Sequence, residues 1–212
     1  MVALLYPYYY SKMAYDGFKS IGRDDIITLT RCAYLGSQKF GSLVWSGDIE
    51  STFESLACQV KAGLNMSMCG IPWWNTDIGG FYGADITSDY FKELIVRWFQ
   101  FGLFSPVMRL HGSRNRHFEP TPGLKEPSGD PNEIWSFGEE NFEILKNLIF
   151  IREKLRPYIQ TQMDIASEKG YPVMRPMFFE YPDDENCYKL DSQYMFGNDI
   201  IFATIVEQDQ TV

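Results

Sequence analysis

The sequence predicts an α/β fold in which parallel βα units lead into a β-rich module. Three observations predict it. Apolar, β-branched runs of strand length alternate with amphipathic stretches of helix length through the first half of the chain. Each of those runs ends in a polar side chain or a glycine. After Gly170 the helical spacing gives way to short strand-like runs separated by turn residues.

The elements follow in order. Residues 5–22 (LYPYYYSKMAYDGFKSIG) carry apolar and aromatic positions at helical spacing, with an early interruption expected at Pro7. Residues 24–35 (DDIITLTRCAYL) read as a first strand and residues 36–41 as a loop. Residues 42–48 (SLVWSGD) read as a second strand that ends on a bare carboxylate, and residues 49–64 as an amphipathic helix. Residues 65–81 hold a third apolar run that ends in Asp77 and two glycines. Residues 88–104 read as a helix opened by Ser88, with Gly102 near its end, and residues 106–112 as a fourth short strand. Residues 111–133 form a long loop rich in Pro, Gly and charge, a kind of loop that is usually functional or disordered. Residues 140–170 are one long helical stretch, bent or broken at Pro157. Residues 171–182, 193–197 and 199–206 are the strand-like runs of the last module. The division expected is 1–170 for the βα region and 171–212 for the β module.

Bulk properties narrow the function. The chain has 212 residues, and its 45% hydrophobic content allows a sizeable core. The formal net charge is −9 and the basic residues are scattered, which argues against a nucleic-acid partner or an anionic membrane. The four cysteines, Cys32, Cys58, Cys69 and Cys187, are far apart and form no CxxC pair. Buried free thiols are expected, and neither a metal site nor a disulfide framework is supported. No apolar run approaches the ~20 residues of a membrane span. No basic segment precedes an apolar one at the N-terminus, so no signal peptide is recognisable and a cytoplasmic location is expected.

Four polar side chains fall at strand ends: Arg31, Asp48, Asp77 and His111. In a barrel of parallel strands such ends share one rim and can meet on one ligand. Each also has a plainer reading. Asp48 can cap the following helix, Arg31 can be a surface arginine, Asp77 can form an Asx turn, and His111 can be a hydrogen-bonded core histidine. Trp45 and Phe81 can be core side chains. No lysine stands at a strand end, which argues against a barrel enzyme working through a Schiff base; Lys39 lies in a loop.

Several stretches carry a resemblance: RCAYLGSQKFGSLVWSGD, GIPWWNTDIGGFYG, RWFQFGLFSPVMRLHG and GYPVMRPMFFEYPDDENCYKLDSQYMFGNDIIFA. With their W-x-G-D, D-I-G-G-F and R-x-H patterns in this order, they cover nearly the whole chain and resemble glycoside hydrolase family 31, the α-glucosidase and α-xylosidase family. The resemblance implies the C-terminal half of a (β/α)8 TIM barrel followed by the beginning of a β-sandwich. It implies Asp48 as catalytic general acid/base and Arg31, Trp45, Asp77, Phe81 and His111 as substrate-binding residues. It implies no metal and no cofactor. The activity implied is retaining hydrolysis, by double displacement, of terminal non-reducing α-linked sugars in an oligosaccharide or glycoside. R-L-H-G at residues 109–112 is closer to the bacterial α-xylosidase branch than to the R-N-H of maltase-like members.

One departure stands out. The family's nucleophile is an aspartate in a K-x-D-x-G-E-like motif after the fourth strand, and no such motif occurs here. Asp16 and Asp24 do not follow an apolar strand. The expectation is therefore a piece of a longer enzyme that carries the acid/base without the nucleophile, is inactive alone, and associates with the missing half-barrel or with itself. The alternative is a sugar-binding or regulatory half without catalysis.

Overall fold

A computed structural model describes residues 2–114 and 129–210. The first helix, α1 (Val2–Ser20), runs through Pro7 without a break. Pro7 sits early in the helix, where it removes a single hydrogen bond next to a turn whose donors are unpaired anyway. The expected interruption is absent for that reason. Three parallel strands follow, β1 (Thr28–Thr30), β2 (Ser42–Trp45) and β3 (Trp74–Asn75), in the order β1-β2-β3. Leu29 pairs with Leu43, and Val44 with Trp74. The first strand is much shorter than residues 24–35, because β2 offers pairing groups only to residues 28–30. Residues 37–40 of the expected loop form a 3-10 turn.

The fourth strand shrinks to one parallel bridge, Ile78 to Leu110. Pro106 has no N–H to give a ladder. Arg152 also takes the carbonyls of Ser105 and Pro106, at 2.8 and 2.9 Å, as well as that of Leu103. The alignment nevertheless continues the parallel order beyond β3, so all four chain ends face the same way. Helices α2 (Phe53–Met68) and α3 (Asp89–Leu103) are the crossovers expected of βα units. Ser88 caps α3, accepting from the Phe91 N–H at 3.2 Å. Residues 115–128 of the expected long loop lie outside the described residues.

The predicted long helix is two helices, α4 (Glu139–Lys154) and α5 (Arg156–Lys169), with Pro157 in the first turn of the second, where proline is tolerated. An antiparallel sheet closes the chain: β4 (Met174–Pro176), β5 (Gln193–Phe196) and β6 (Ile200–Ala203). Between β4 and β5, residues expected to extend the first of these strands fold as the helical turn α6 (Met177–Glu180), since Pro176 ends the ladder.

The main core joins the crossover helices to the second sheet. Leu56, Val60 and Leu64 of α2 and Phe91, Leu94, Ile95 and Trp98 of α3 show the spacing of a buried helix face. They pack with Leu145 of α4 and with Met174, Tyr194 and Phe196 of the second sheet. Tyr194 is fully buried and donates to the Phe104 carbonyl at 2.9 Å, tying that sheet to the end of α3. The cysteines differ from expectation. All four are free, but Cys32, Cys58 and Cys69 are exposed and only Cys187 is buried. Cys58 lies two positions from Leu56, off the buried stripe of α2, and Cys69 is that helix's solvent-facing end. An apolar neighbourhood in sequence does not place a residue on the inner face.

Candidate active site

The carboxyl ends of the parallel strands build one rim. Arg31 follows β1 directly and Trp45 is the last residue of β2. Asp48 lies three residues further, Asp77 two residues past β3, and His111 next to the bridged Leu110. All four polar candidates therefore share one end of the sheet.

Asp48 is not a helix cap. Thr52 caps α2, its hydroxyl accepting from the Ser55 N–H at 3.1 Å. Asp48 instead stands 41% exposed on the rim and accepts from Arg31 Nη1 at 3.3 Å. Gly47 makes this possible. Its φ is +80°, and a Cβ there would lie 3.0 Å from Arg31 Nε. A glycine is needed for the backbone to turn under the guanidinium and lift Asp48 beside it.

Asp77 is fully buried. Its Oδ1 pairs with Arg109 Nη2, and Arg109 Nε donates to Asn75 Oδ1 at 2.7 Å. The Arg109 guanidinium also lies over the Trp45 ring, 5.9 Å from its centre. Burial pushes the Asp77 carboxyl above its ordinary range, while Arg109 and His111 pull it back and the Asp48 charge adds to the rise. Four rim groups thus share one electrostatic environment. Asp77 Oδ2 is buried and has no hydrogen-bond partner among the described residues. A buried acceptor of this kind calls for a donor. Phe81 is half-buried, with its ring centre 5.7 Å from that of His111 and the planes tilted by 41°, so the two form one wall.

The structure thus brings all six sequence candidates to one rim. Sequence reasoning missed Asn75 and Arg109 as partners. The signal was present: they precede Asp77 and His111 by two residues, and positions two apart face the same way in extended chain. Arg114, buried behind the rim, had no such signal. Among the described residues no group of three or more His, Cys, Asp or Glu is placed to hold a metal ion, and no helix is long and apolar enough to cross a membrane. A cavity of about 510 Å³ between the end of α3 and helices α4 and α5 is lined by none of the six rim residues.

The arrangement offers hydroxyl donors (Arg31, His111), acceptors (Asp48, Asp77) and aromatic faces (Trp45, Phe81), a set that matches a polyol ring. Comparison with known proteins bears on the class. Residues 2–162 match the family described as glycosyl hydrolases family 31 TIM-barrel domain, and residues 170–212 match its C-terminal domain. The chain belongs to glycoside hydrolase family 31. Its fold is part of the family's (β/α)8 barrel followed by the C-terminal sheet domain. Family 31 relatives include an α-xylosidase of Saccharolobus solfataricus, 36% identical over 94% of this chain and 25% of its own. An α-glucosidase of the same organism is 31% identical over 97% of this chain and 28% of its own. A solved structure described as a family 31 α-xylosidase from a soil metagenome complexed with xylose superposes with a TM-score of 0.91. It is 48% identical, over 97% of this chain and 31% of that one. The chain thus spans about a quarter to a third of the length of these family 31 proteins.

Proposed function

We propose that this chain forms the acid/base side of a retaining α-glycosidase that removes a terminal α-linked sugar from an oligosaccharide or glycoside. The observation that carries the reading is the convergence of Asp48, Arg31, Asp77 and His111 on one rim, with Asp48 exposed and free of capping duty. Asp48 protonates the departing glycosidic oxygen and then, as base, takes a proton from water. Arg31 supplies a counter-charge in the second step and, with His111, donates to sugar hydroxyls. The orphan Asp77 Oδ2 accepts from one, and Trp45 and Phe81 flank the ring. A retaining enzyme needs a second carboxylate about 5–5.5 Å from the first as nucleophile. No K-x-D-x-G-E-like motif is present in these 212 residues, so the chain works as part of a larger enzyme that brings that aspartate to the rim. R-L-H-G at residues 109–112 favours an α-xyloside.

The test uses the complete enzyme. Nitrophenyl α-xyloside and α-glucoside are compared first, and the xyloside is expected to be turned over faster. Asp48→Ala then removes general acid help, which typically contributes about 10²–10⁴-fold. Natural disaccharides should no longer be cleaved, while a glycosyl fluoride, which departs without a proton, should still react in the first step. Its intermediate should accumulate, and azide, which needs no base, should restore turnover. Near-parental disaccharide hydrolysis by Asp48→Ala, or a folded variant that azide does not rescue, would remove Asp48 from this role.

A further inference from the structure

We propose that Arg114 is a positioning residue that clamps the Asp77–Phe81 turn to the His111 segment and so sets the width of the innermost sugar subsite, an inference that rests on reading the rim as a sugar site. Arg114 takes none of the roles assigned above, yet it is fully buried. Its guanidinium uses each of its three nitrogens. Nη1 donates to the Gly80 carbonyl, and Nη2 to the carbonyls of Ile78 and, at 3.3 Å, His111. Nε donates to Asn132 Oδ1 at 2.9 Å. The backbone N–H of Arg114 adds a bond to the Phe81 carbonyl at 2.8 Å.

The identity of these acceptors carries the argument. Ile78 follows Asp77 and Gly80 precedes Phe81, so one guanidinium grips both ends of the turn that presents the buried carboxylate and the aromatic wall. The third carbonyl belongs to His111 itself. Only a planar fork with five donors can satisfy acceptors that lie in different directions; an ammonium acts as a point charge. The surroundings fit the clamp closely. Arg114 holds φ at +57°, an uncommon conformation for a side chain of its size. Its guanidinium lies 5.4 Å from the Phe91 ring centre, and a Cβ at Gly79 would come within 2.8 Å of Nη1. Gly79 and Gly112, where a Cβ would come within 2.9 Å of Nη1, thus leave room for the clamp.

The experiment uses Arg114→Lys in the complete enzyme, which keeps the charge and loses the fork. A misplacement of about 1 Å near the reacting groups can cost roughly 10²-fold, and a fall of that order in kcat/KM on nitrophenyl α-xyloside is expected. In a His111→Ala background the same change should cost clearly less than in the parent, since groups that act through one another are not additive. Amide hydrogen exchange should quicken in residues 77–81 and 111–114 and stay at the parental rate elsewhere. Parental kinetics, a loss fully multiplicative with His111→Ala, or unchanged exchange in those two segments would overturn the clamp. Should Arg114→Lys fail to fold, Asn132→Ala releases only Nε and is read in the same three ways, with a smaller loss expected. Exchange also separates this inference from the functional reading. An unmodified enzyme that cleaves no α-glycoside defeats the reading, whereas unchanged exchange defeats the clamp.

Discussion

Asp77 carries the sharpest electrostatic consequence at the scale of a single residue. Burial raises its carboxyl above the ordinary value of 3.8, against the pull of Arg109 and His111. Just above that value the folded state binds more protons than the unfolded state, so stability falls as pH rises through this window and levels off once Asp77 has ionised. Comparing wild type with Asp77→Asn isolates the effect. The stability of wild type relative to the variant should decline from the acid end toward neutral pH, followed by urea unfolding at several pH values. A relative stability that climbs with pH would mean that the Arg109 pair outweighs burial. Gly47 makes a second test. Alanine there must hold a left-handed backbone, at about 1–2 kcal/mol, with its methyl against the Arg31 guanidinium. Gly47→Ala should therefore lower the unfolding midpoint of the chain and slow the complete enzyme as Arg31 is displaced from Asp48.

At the scale of the element, α2 separates structure from chemistry within five residues. Thr52 accepts from the Ser55 N–H and closes the helix, while Asp48 four residues earlier takes no part in it. Thr52→Ala should destabilise the fold by about 0.5–2 kcal/mol, the usual cost of losing a cap. Asp48→Ala should leave stability within roughly 0.5 kcal/mol, as for surface changes away from such features. Paired denaturant titrations on the two variants decide this. The end of α3 shows how an element far from the rim supports it. Arg152 reaches from α4 to the carbonyls of Leu103, Ser105 and Pro106, just before the segment that delivers Arg109 and His111. Burial pulls this guanidinium down to about 10, so it still carries its charge at neutral pH.

The whole molecule is governed by its open sheet. Among the described residues no strand pairs with the outer edge of β1, and Ile27 and Leu29 beside that edge are exposed. Such edges invite pairing with another chain. Purified as these 212 residues, the protein should self-associate at micromolar concentration in sedimentation velocity. It should also show no hydrolysis of aryl α-glycosides, because double displacement needs two carboxylates. Monomeric, efficiently hydrolysing material would overturn the proposal that this chain is one side of a larger site.

The sequence by itself determined the family, the parallel βα order and the six rim residues. Each follows from local pattern: W-S-G-D, D-I-G-G-F and R-L-H-G name five of the six, Arg31 follows the first apolar run, and alternation of strand with helix dictates parallel pairing. It also marked Pro157 as a helix break and Ser88 as a cap, because those signals act within a few residues of themselves. Only the tertiary structure decided how long each strand is, because pairing needs a partner: β1 begins opposite the start of β2, Thr28 beside Ser42, and the fourth strand keeps a single bridge, Ile78 to Leu110. Likewise, only packing could show that three cysteines face solvent. The grip of Arg114 on the Asp77–Phe81 turn belongs there too, since the Ile78 and Gly80 carbonyls lie more than thirty residues away in the chain. Contacts at that separation leave no mark in a local pattern, because they depend on how the elements come to rest against one another.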